Sequence, residues 1–509
     1  MGGGVVIAGE RSGVGKTTVT LALLAALAQR SQRVQSFKVG PDYIDPMFHK
    51  RVTGRPCYNL DPVLTSAAYV HQCFAERCRD AEFAVVEGVM GLFDGATGVS
   101  ETASTAHIAK LLNLPVLLVV DCSRLSRSVL AIVHGYRSLD PGLTLAGVVL
   151  NRVGSDRHLE LLQDALATID LPIFGVLRRQ AEITIPDRHL GLVPTAELPQ
   201  LQDCLDRLAH LGQTCFDWSR LLPRLTVSSP SFPFDDQPSE DDPIAPDLAP
   251  DLAPDALSPI QPLPIQPPSP SITRPPWDTL SPREKAACER IRIIRPRLAI
   301  AQDAAFSFYY ADGLDYLTQL GAELVPWSPL TDPTLPEATD GLYLGGGFPE
   351  MFGAALAENQ PLRQYLRQRI QAGLPTYAEC GGLMYLAETL VDLQGQTWPM
   401  VGILPTTVTM ESRLTLGYRQ ATATADSVAL QAQQQVWGHE FHHSQVTVPP
   451  TPPLFQLRRF DAKNPHATEG WGSRHVHASY VHLHWQGCKA QAVQFLAACA
   501  GYRAKGNGP

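Results

Sequence analysis

The sequence has little charge, and the charge it has leans acidic. Charged residues make up 18% of 509 positions, with 41 Lys and Arg against 50 Asp and Glu, for a net charge of −9. That balance argues against a basic nucleic-acid groove or a polybasic membrane surface, so neither nucleic acid nor membrane is expected as a partner. Anions can still be held by local devices such as helix N-termini. No apolar run reaches the length of a membrane span. The opening run Met1–Ile7 carries no charged segment ahead of an apolar one, so no signal peptide is expected. The ten cysteines form no CxxC pair and no regular framework. Reduced thiols in the cytoplasm follow, most of them ordinary buried residues.

What is present is a long, globular chain. Hydrophobic residues reach 44% and the mean hydropathy is −0.05. A chain of this length exceeds one hydrophobic core, so two or more domains are expected. Short apolar runs at Val5–Ala8, Phe83–Val86, Val116–Val120, Ala146–Leu150 and Ile173–Leu177 read as buried strands. Thr17–Ala28, Leu125–Tyr136 and His158–Ala167 read as helices between them. This alternation predicts an α/β fold with a doubly wound, mostly parallel sheet over residues 1–222. Fifteen of the 43 prolines then fall between Pro230 and Pro276, around the near-repeat Ala245-Pro246-Asp247-Leu248, Ala249-Pro250-Asp251-Leu252. Proline fixes φ and removes donors, so residues 223–279 read as an extended, disordered linker. A second α/β unit is expected over 280–509. Its strands are read at Arg297–Ala301, Glu323–Trp327, Leu342–Leu344, Thr376–Ala378, Val436–Phe441 and Val476–Leu483.

The first site is a phosphate loop. Gly9-Glu10-Arg11-Ser12-Gly13-Val14-Gly15-Lys16-Thr17-Thr18 follows a strand and opens a helix. Glycines let backbone N–H groups turn toward phosphates, a lysine neutralises the β/γ oxygens, and a hydroxyl can ligate Mg²⁺. Glu10 stands where the strict pattern wants Gly, and Gly9 gives a loop one residue longer. Phe37–Pro46 and Val86–Gly95 bring carboxylates toward the same strand ends. Glu87 closes a strand, where doubly wound folds place ligand groups, and it can complete a Mg²⁺ shell. Asp42, Asp45 and Asp94 read either as site carboxylates or as turn residues.

The second site is a thiol. Tyr377-Ala378-Glu379-Cys380-Gly381-Gly382 lies between a short strand and a helical pattern, which puts Cys380 on an elbow. A helix dipole there favours thiolate, and the glycines leave an oxyanion donor free. Leu344-Gly345-Gly346-Gly347-Phe348-Pro349-Glu350 offers a second turn that could supply the other donor. The thiol needs a base, and Tyr480-Val481-His482-Leu483-His484 supplies one about a hundred residues on.

Together these segments resemble the cobyrinic acid a,c-diamide synthase family, which joins a dethiobiotin-synthetase-like ATP domain to a class I glutamine amidotransferase domain. The resemblance covers residues 4–220 and 280–500. It includes Ser104–Ala109, Leu150–Gly154, His189–Pro194, Ala304–Tyr310 and Gly438–His442 as well as the segments above. It implies that Gly13, Gly15, Lys16, Thr17 and Thr18 hold ATP phosphates and that Thr17 and Glu87 serve Mg²⁺. Asn151 would read the adenine edge. Lys38, Asp42 and Asp45 would lie between the γ-phosphate and a substrate carboxylate, and Tyr43 would touch the corrinoid. Cys380 would be the glutaminase nucleophile and His482 its base, with Gly346, Gly347 and Gly381 lining the glutamine site. Related amidotransferases often carry Glu two residues after the histidine, where this chain has His484. His443 stands where the family more often has Tyr.

The implied reaction uses ATP, Mg²⁺, L-glutamine and cobyrinic acid to amidate the a and c carboxylates through acyl phosphates. Hydrogenobyrinic acid and nickel sirohydrochlorin are the alternative macrocycles, and a P-loop partitioning or regulatory ATPase, with the second half a binding module, is the alternative of another class. The sequence leaves the oligomeric state open, a homodimer included.

Overall fold

The structure is a computed structural model. It describes residues 3–30, 32–98, 100–179, 199–227, 281–465 and 467–506. The proline-rich stretch and the His189–Pro194 signature lie outside the described residues.

The first half is built on seven parallel strands. They are β1 (Val5–Gly9), β2 (Val34–Val39), β3 (Tyr58–Leu60), β4 (Phe83–Glu87), β5 (Val116–Asp121), β6 (Leu145–Val153) and β7 (Ile173–Arg178). Their order across the sheet is β3-β2-β4-β1-β5-β6-β7. Chain order reverses beside β1, which opens a crevice at the strand C-termini. Both faces are covered: Val5 and Ile7 join one hydrophobic cluster while Val6 and Ala8 join another. That explains why these strands read as continuous apolar runs rather than alternating ones. Helix α1 (Lys16–Gln29) starts at Lys16 because Gly15, at φ 93°, takes a left-handed turn that a side chain would strain. Helix α2 (Ile44–Thr53) follows β2.

In the second half, Glu323–Trp327, Arg297–Ala301, Gly341–Leu344, Thr376–Glu379 and Val476–Ser479 run parallel in that order, with Trp471–Gly472 antiparallel at the edge. A second sheet carries the long strands Leu404–Ala423 and Gln435–Val446. The sequence reads Val476–Leu483 as one strand, and the structure breaks it in two. Val476–Ser479 stays in the parallel sheet, and His482–Leu483 crosses to pair with Gln435–Val446. The break sets His482 at the seam between the two sheets. No helix among the described residues is long and apolar enough to cross a membrane.

The halves meet through side chains. Tyr69 Oη donates to Asp312 at 2.5 Å, Arg77 pairs with Asp315 at 2.7 Å, and Tyr418 Oη donates to Asp61 at 2.8 Å. Tyr43, Leu64, Phe308 and Tyr310 form a small apolar cluster across the same junction.

Candidate active site

The phosphate loop bends where its glycines allow. Gly13 and Gly15 have φ of 77° and 93°. A Cβ on Gly15 would stand 2.3 Å from Asn151 Nδ2, so the loop rests on that amide. Asn151 Nδ2 donates to the Val14 carbonyl at 2.8 Å, and its Oδ1 accepts from Arg152 N at 2.9 Å. Lys16 is buried and folds over its own loop, donating to the carbonyls of Met90 and Arg11. Burial, and then Lys38 close by, pull its pKa down. A cavity of about 440 Å³ opens beside the loop, lined by Glu10, Arg11, Asp121, Ser123, Arg124 and Arg152 among others. Asp121 holds Arg11 at 3.1 Å and Arg152 at 2.6 Å there. Thr18 follows Thr17 in the first turn of α1, half-buried.

Under the loop lies a buried charged cluster. Thr17 Oγ1 donates to Glu87 Oε1 at 2.7 Å. Lys38 Nζ sits between Asp45, Glu87 at 3.0 Å, the Gly88 carbonyl at 3.1 Å and Asp42 at 3.6 Å. Burial raises the pKa of Asp45, helped by Asp42 and Glu87 and opposed by Lys38. Burial also opposes the charge on Glu87, but Lys38 and His49 outweigh it and hold that carboxyl well below the usual range. His49 was not singled out in the sequence. Its Nε2 meets Glu87 Oε2 at 2.6 Å and its Nδ1 meets Cys57 Sγ at 3.3 Å. Burial works against its charge, and Cys57 and Glu87 outweigh that, pushing it up to about 10. The signal available was spacing: Asp45 and His49 are four apart on α2, hence on one face.

The three aspartates separate here. Asp42 Oδ1 accepts from the N–H groups of Ile44 and Asp45 and so caps α2, while its other oxygen faces Lys38. Asp45 joins the cluster itself. Asp94 accepts from Gly91 N at 2.8 Å, which is turn chemistry. Among the described residues no group of three or more His, Cys, Asp or Glu gathers as a metal cage. The hydroxyl of Thr17 and the carboxylate of Glu87 are hard oxygen donors, a set that suits Mg²⁺ shared with phosphate oxygens.

The thiol site is equally defined. Cys380 has φ 47° and ψ −99°, a strained conformation for a residue with a side chain. Its N–H donates to the Ser479 carbonyl at 2.7 Å, which ties the elbow to the neighbouring strand. The glycines pack without room for side chains. A Cβ on Gly381 would lie 2.9 Å from Gly347 N, and one on Gly347 would lie 2.0 Å from the Ala305 carbonyl oxygen. A Cβ on Gly346 would lie 2.5 Å from His482 Cε1. The elbow, the glycine turn and His482 are thus packed against one another. The expected lowering of the thiol pKa is not met. Burial pushes it up, and the carboxylates of Glu350, Glu379 and Glu440 add to that. The helix behind it, Gly381–Leu386, has only six residues, too little to offset burial. Burial likewise pushes Glu350 up to about 7.

His484 does not take the place of a triad carboxylate. Its Nε2 faces Asp312 at 3.4 Å, the same residue that accepts from Tyr69, and its ring stacks on Tyr310 at 4.4 Å. It belongs to the junction between halves. So does Tyr43, which stacks on Phe308 at 5.2 Å and lies 5.1 Å from the His482 ring. The loop bearing Asp42 and Asp45 therefore touches both sites.

Comparison with known proteins agrees with this architecture. Residues 5–193 match the CobQ/CobB/MinD/ParA nucleotide binding domain, and 297–490 match the CobB/CobQ-like glutamine amidotransferase domain. A cobyrinate a,c-diamide synthase of Synechococcus sp. is 53% identical, over 97% of this chain and 98% of its own. One of Synechocystis sp. is 50% identical, over 98% and 94%. A hydrogenobyrinate a,c-diamide synthase of Streptomyces coelicolor is 42% identical, over 97% of each. With a nucleotide-binding P-loop half and a glutamine amidotransferase half in one chain, the protein belongs to the cobyrinate a,c-diamide synthase family, glutamine-hydrolysing amide ligases of cobalamin biosynthesis.

Proposed function

We propose that the chain converts cobyrinic acid to its a,c-diamide, using ATP to activate each carboxylate and glutamine to supply nitrogen. The observation that carries this reading is the loop Gly40–Asp45. Asp45 meets Lys38 beneath the phosphate loop, and Tyr43 packs on His482 beside the thiol elbow. Two half-reactions that must exchange ammonia are thereby adjacent.

In the amidotransferase half, Cys380 rests as a neutral thiol and loses its proton to His482 as it attacks the glutamine amide. N–H groups near Gly346, Gly347 and Gly381 are the candidate oxyanion donors. The thioester forms, ammonia leaves, and water then frees glutamate. In the synthase half, a substrate carboxylate is a poor acylating agent until it is phosphorylated. Gly13, Gly15, Lys16, Thr17 and Thr18 bind and orient the ATP phosphates. Asn151 supports the loop through its bond to the Val14 carbonyl and is the residue assigned to the adenine edge. Mg²⁺ held by Thr17 and Glu87 would supply neutralisation of phosphate charge. Lys38 and Asp45 hold the incoming carboxylate against the γ-phosphate, and Asp42 fixes the loop that positions them. Ammonia displaces phosphate to leave the amide. Hydrogenobyrinic acid is the second reading, favoured by the 42% identity to the Streptomyces coelicolor enzyme.

The test is mass spectrometry of products. Full-length protein is incubated with ATP, Mg²⁺ and glutamine, and with cobyrinic acid, hydrogenobyrinic acid or nickel sirohydrochlorin in parallel. Cys380→Ser should lose the glutamine-dependent product and keep the ammonia-dependent one. Lys16→Ala should lose both, since either nitrogen source needs the activated carboxylate. Glutamine-dependent product from Cys380→Ser would refute the thiol assignment.

A further inference from the structure

His482 carries two ring nitrogens, both buried and without a hydrogen-bond partner. A base that must become an imidazolium needs a group to orient it and to meet its charge. His484 is no carboxylate, and its Nε2 lies 3.4 Å from Asp312. Among the described residues, the carboxylate at ion-pair distance is Glu379, with Oε2 at 3.6 Å from His482 Nδ1 and both side chains at most 2% exposed. We propose that Glu379, the residue before the nucleophile, is the carboxylate that positions His482. The proposal rests on the Cys380–His482 glutaminase reading above.

The surroundings of Glu379 favour this role. Its Oε1 is pinned by Leu483 N–H at 2.9 Å and by Tyr377 Oη at 2.7 Å. Tyr343 Oη donates to Oε2 at 3.3 Å. Leu483 directly follows His482, so one carboxylate oxygen grips the backbone beside the base while the other faces its ring. Opposite His482 in the strand ladder stands His439, whose pKa burial and then His482 push down to about 3. That neighbour stays neutral and offers no charge to meet an imidazolium. The distance of 3.6 Å is longer than a hydrogen bond, and catalytic contacts of this kind tighten when substrate binds. With Nδ1–H turned to Glu379, Nε2 is the acceptor. Sγ–H breaks as the Sγ–C bond forms, the proton passes to Nε2, and the carbonyl electron pair moves to oxygen. The C–N bond then breaks, and the leaving ammonia takes that proton back.

Glu379→Gln isolates the charge, because its amide oxygen can still accept from Leu483 and Tyr377. In the full-length protein, kcat for glutamine hydrolysis should fall about 10²-fold, the scale of a disabled general base. KM for glutamine should stay as in the parent. Alkylation of Cys380 by a glutamine diazoketone should slow in parallel, and Glu379→Asp should recover part of the loss. Ammonia-dependent amidation by the same preparation reports that the fold holds. An unchanged kcat in Glu379→Gln, or a loss confined to KM, overturns the proposal. If Glu379→Gln does not fold, Glu379→Asp decides by the same split between kcat and KM. Glutamine hydrolysis surviving in Cys380→Ser would sink the underlying reading instead.

Discussion

Replacing Gly346 with alanine tests the thiol pocket with a single methyl group. An ideal Cβ there would stand 2.5 Å from His482 Cε1, with Phe308 carbons next at 3.3 Å. Carbon atoms settle near 3.5 Å, so about 1 Å of movement is required. The Gly346 backbone is held by pairing with Phe308, and His482 by pairing with His439. The imidazole is a side chain and can tilt where two paired backbones cannot, so it absorbs the displacement at the expense of its placement beside Glu379. A misplacement of about 1 Å in a catalytic group costs about 10²-fold in rate. Glutamine hydrolysis by Gly346→Ala should therefore fall by about that factor in kcat, read as glutamate released in the presence of ATP and corrinoid substrate. Amide formation from ammonium, made in the other half, should persist. If glutaminase kcat were unchanged, His482 as placed would not be the base, and its packing on Gly346 would have no catalytic meaning.

Two further outcomes follow from the geometry. Tyr43→Ala removes a buried ring from the junction, which costs about 3 kcal/mol of stability by the usual scale for aromatic truncation. It should also raise the ratio of glutamine hydrolysed to amide formed, while Tyr43→Phe keeps the ratio; equal ratios in both variants would separate Tyr43 from coupling. His477 is fully buried, and burial lowers its pKa to about 3. The unfolded chain takes that proton below about pH 6.5, so stability falls as pH drops from there toward about 3 and is intact above it. Between about pH 7.5 and about pH 5 one such histidine costs about 2 kcal/mol, and His477→Gln should reduce the drop seen in urea unfolding by that amount.

The sequence spoke most clearly where a few adjacent residues carry the geometry. A strand, a glycine turn and a helix start are local, so Gly9–Thr18 and the Cys380 elbow were legible. Strand–helix alternation was legible for a similar reason, with ends moving by a few residues. The strand Val34–Val39 is absent from the sequence reading, which names only Phe37–Pro46 there, because Gln35, Ser36 and Lys38 break the apolar run although all are buried. What was not legible depends on segments that meet only in the fold. Asp312 partners His484 from about 170 residues away, and nothing beside either residue announces it. The split of Val476–Leu483 is set by which sheet each piece finds. The thiol pKa failed for a physical reason: a helix dipole is visible in sequence, whereas the burial and carboxylates that outweigh it are not.

The same contrast explains how two chemistries share one chain. On the proposed assignment, each site draws the groups for its own bond changes from its own half. Under the proposed reaction, what needs both halves is timing, because ammonia released before a carboxylate is activated would be lost. The link lies in six residues, Gly40–Asp45. Asp42 caps α2 and faces Lys38, Asp45 reaches the same lysine, and Tyr43 between them reaches the amidotransferase ring system. The hydrogen bonds from Ile44 N and Asp45 N to Asp42 join this loop to the start of α2, so one short segment carries groups that face both sites.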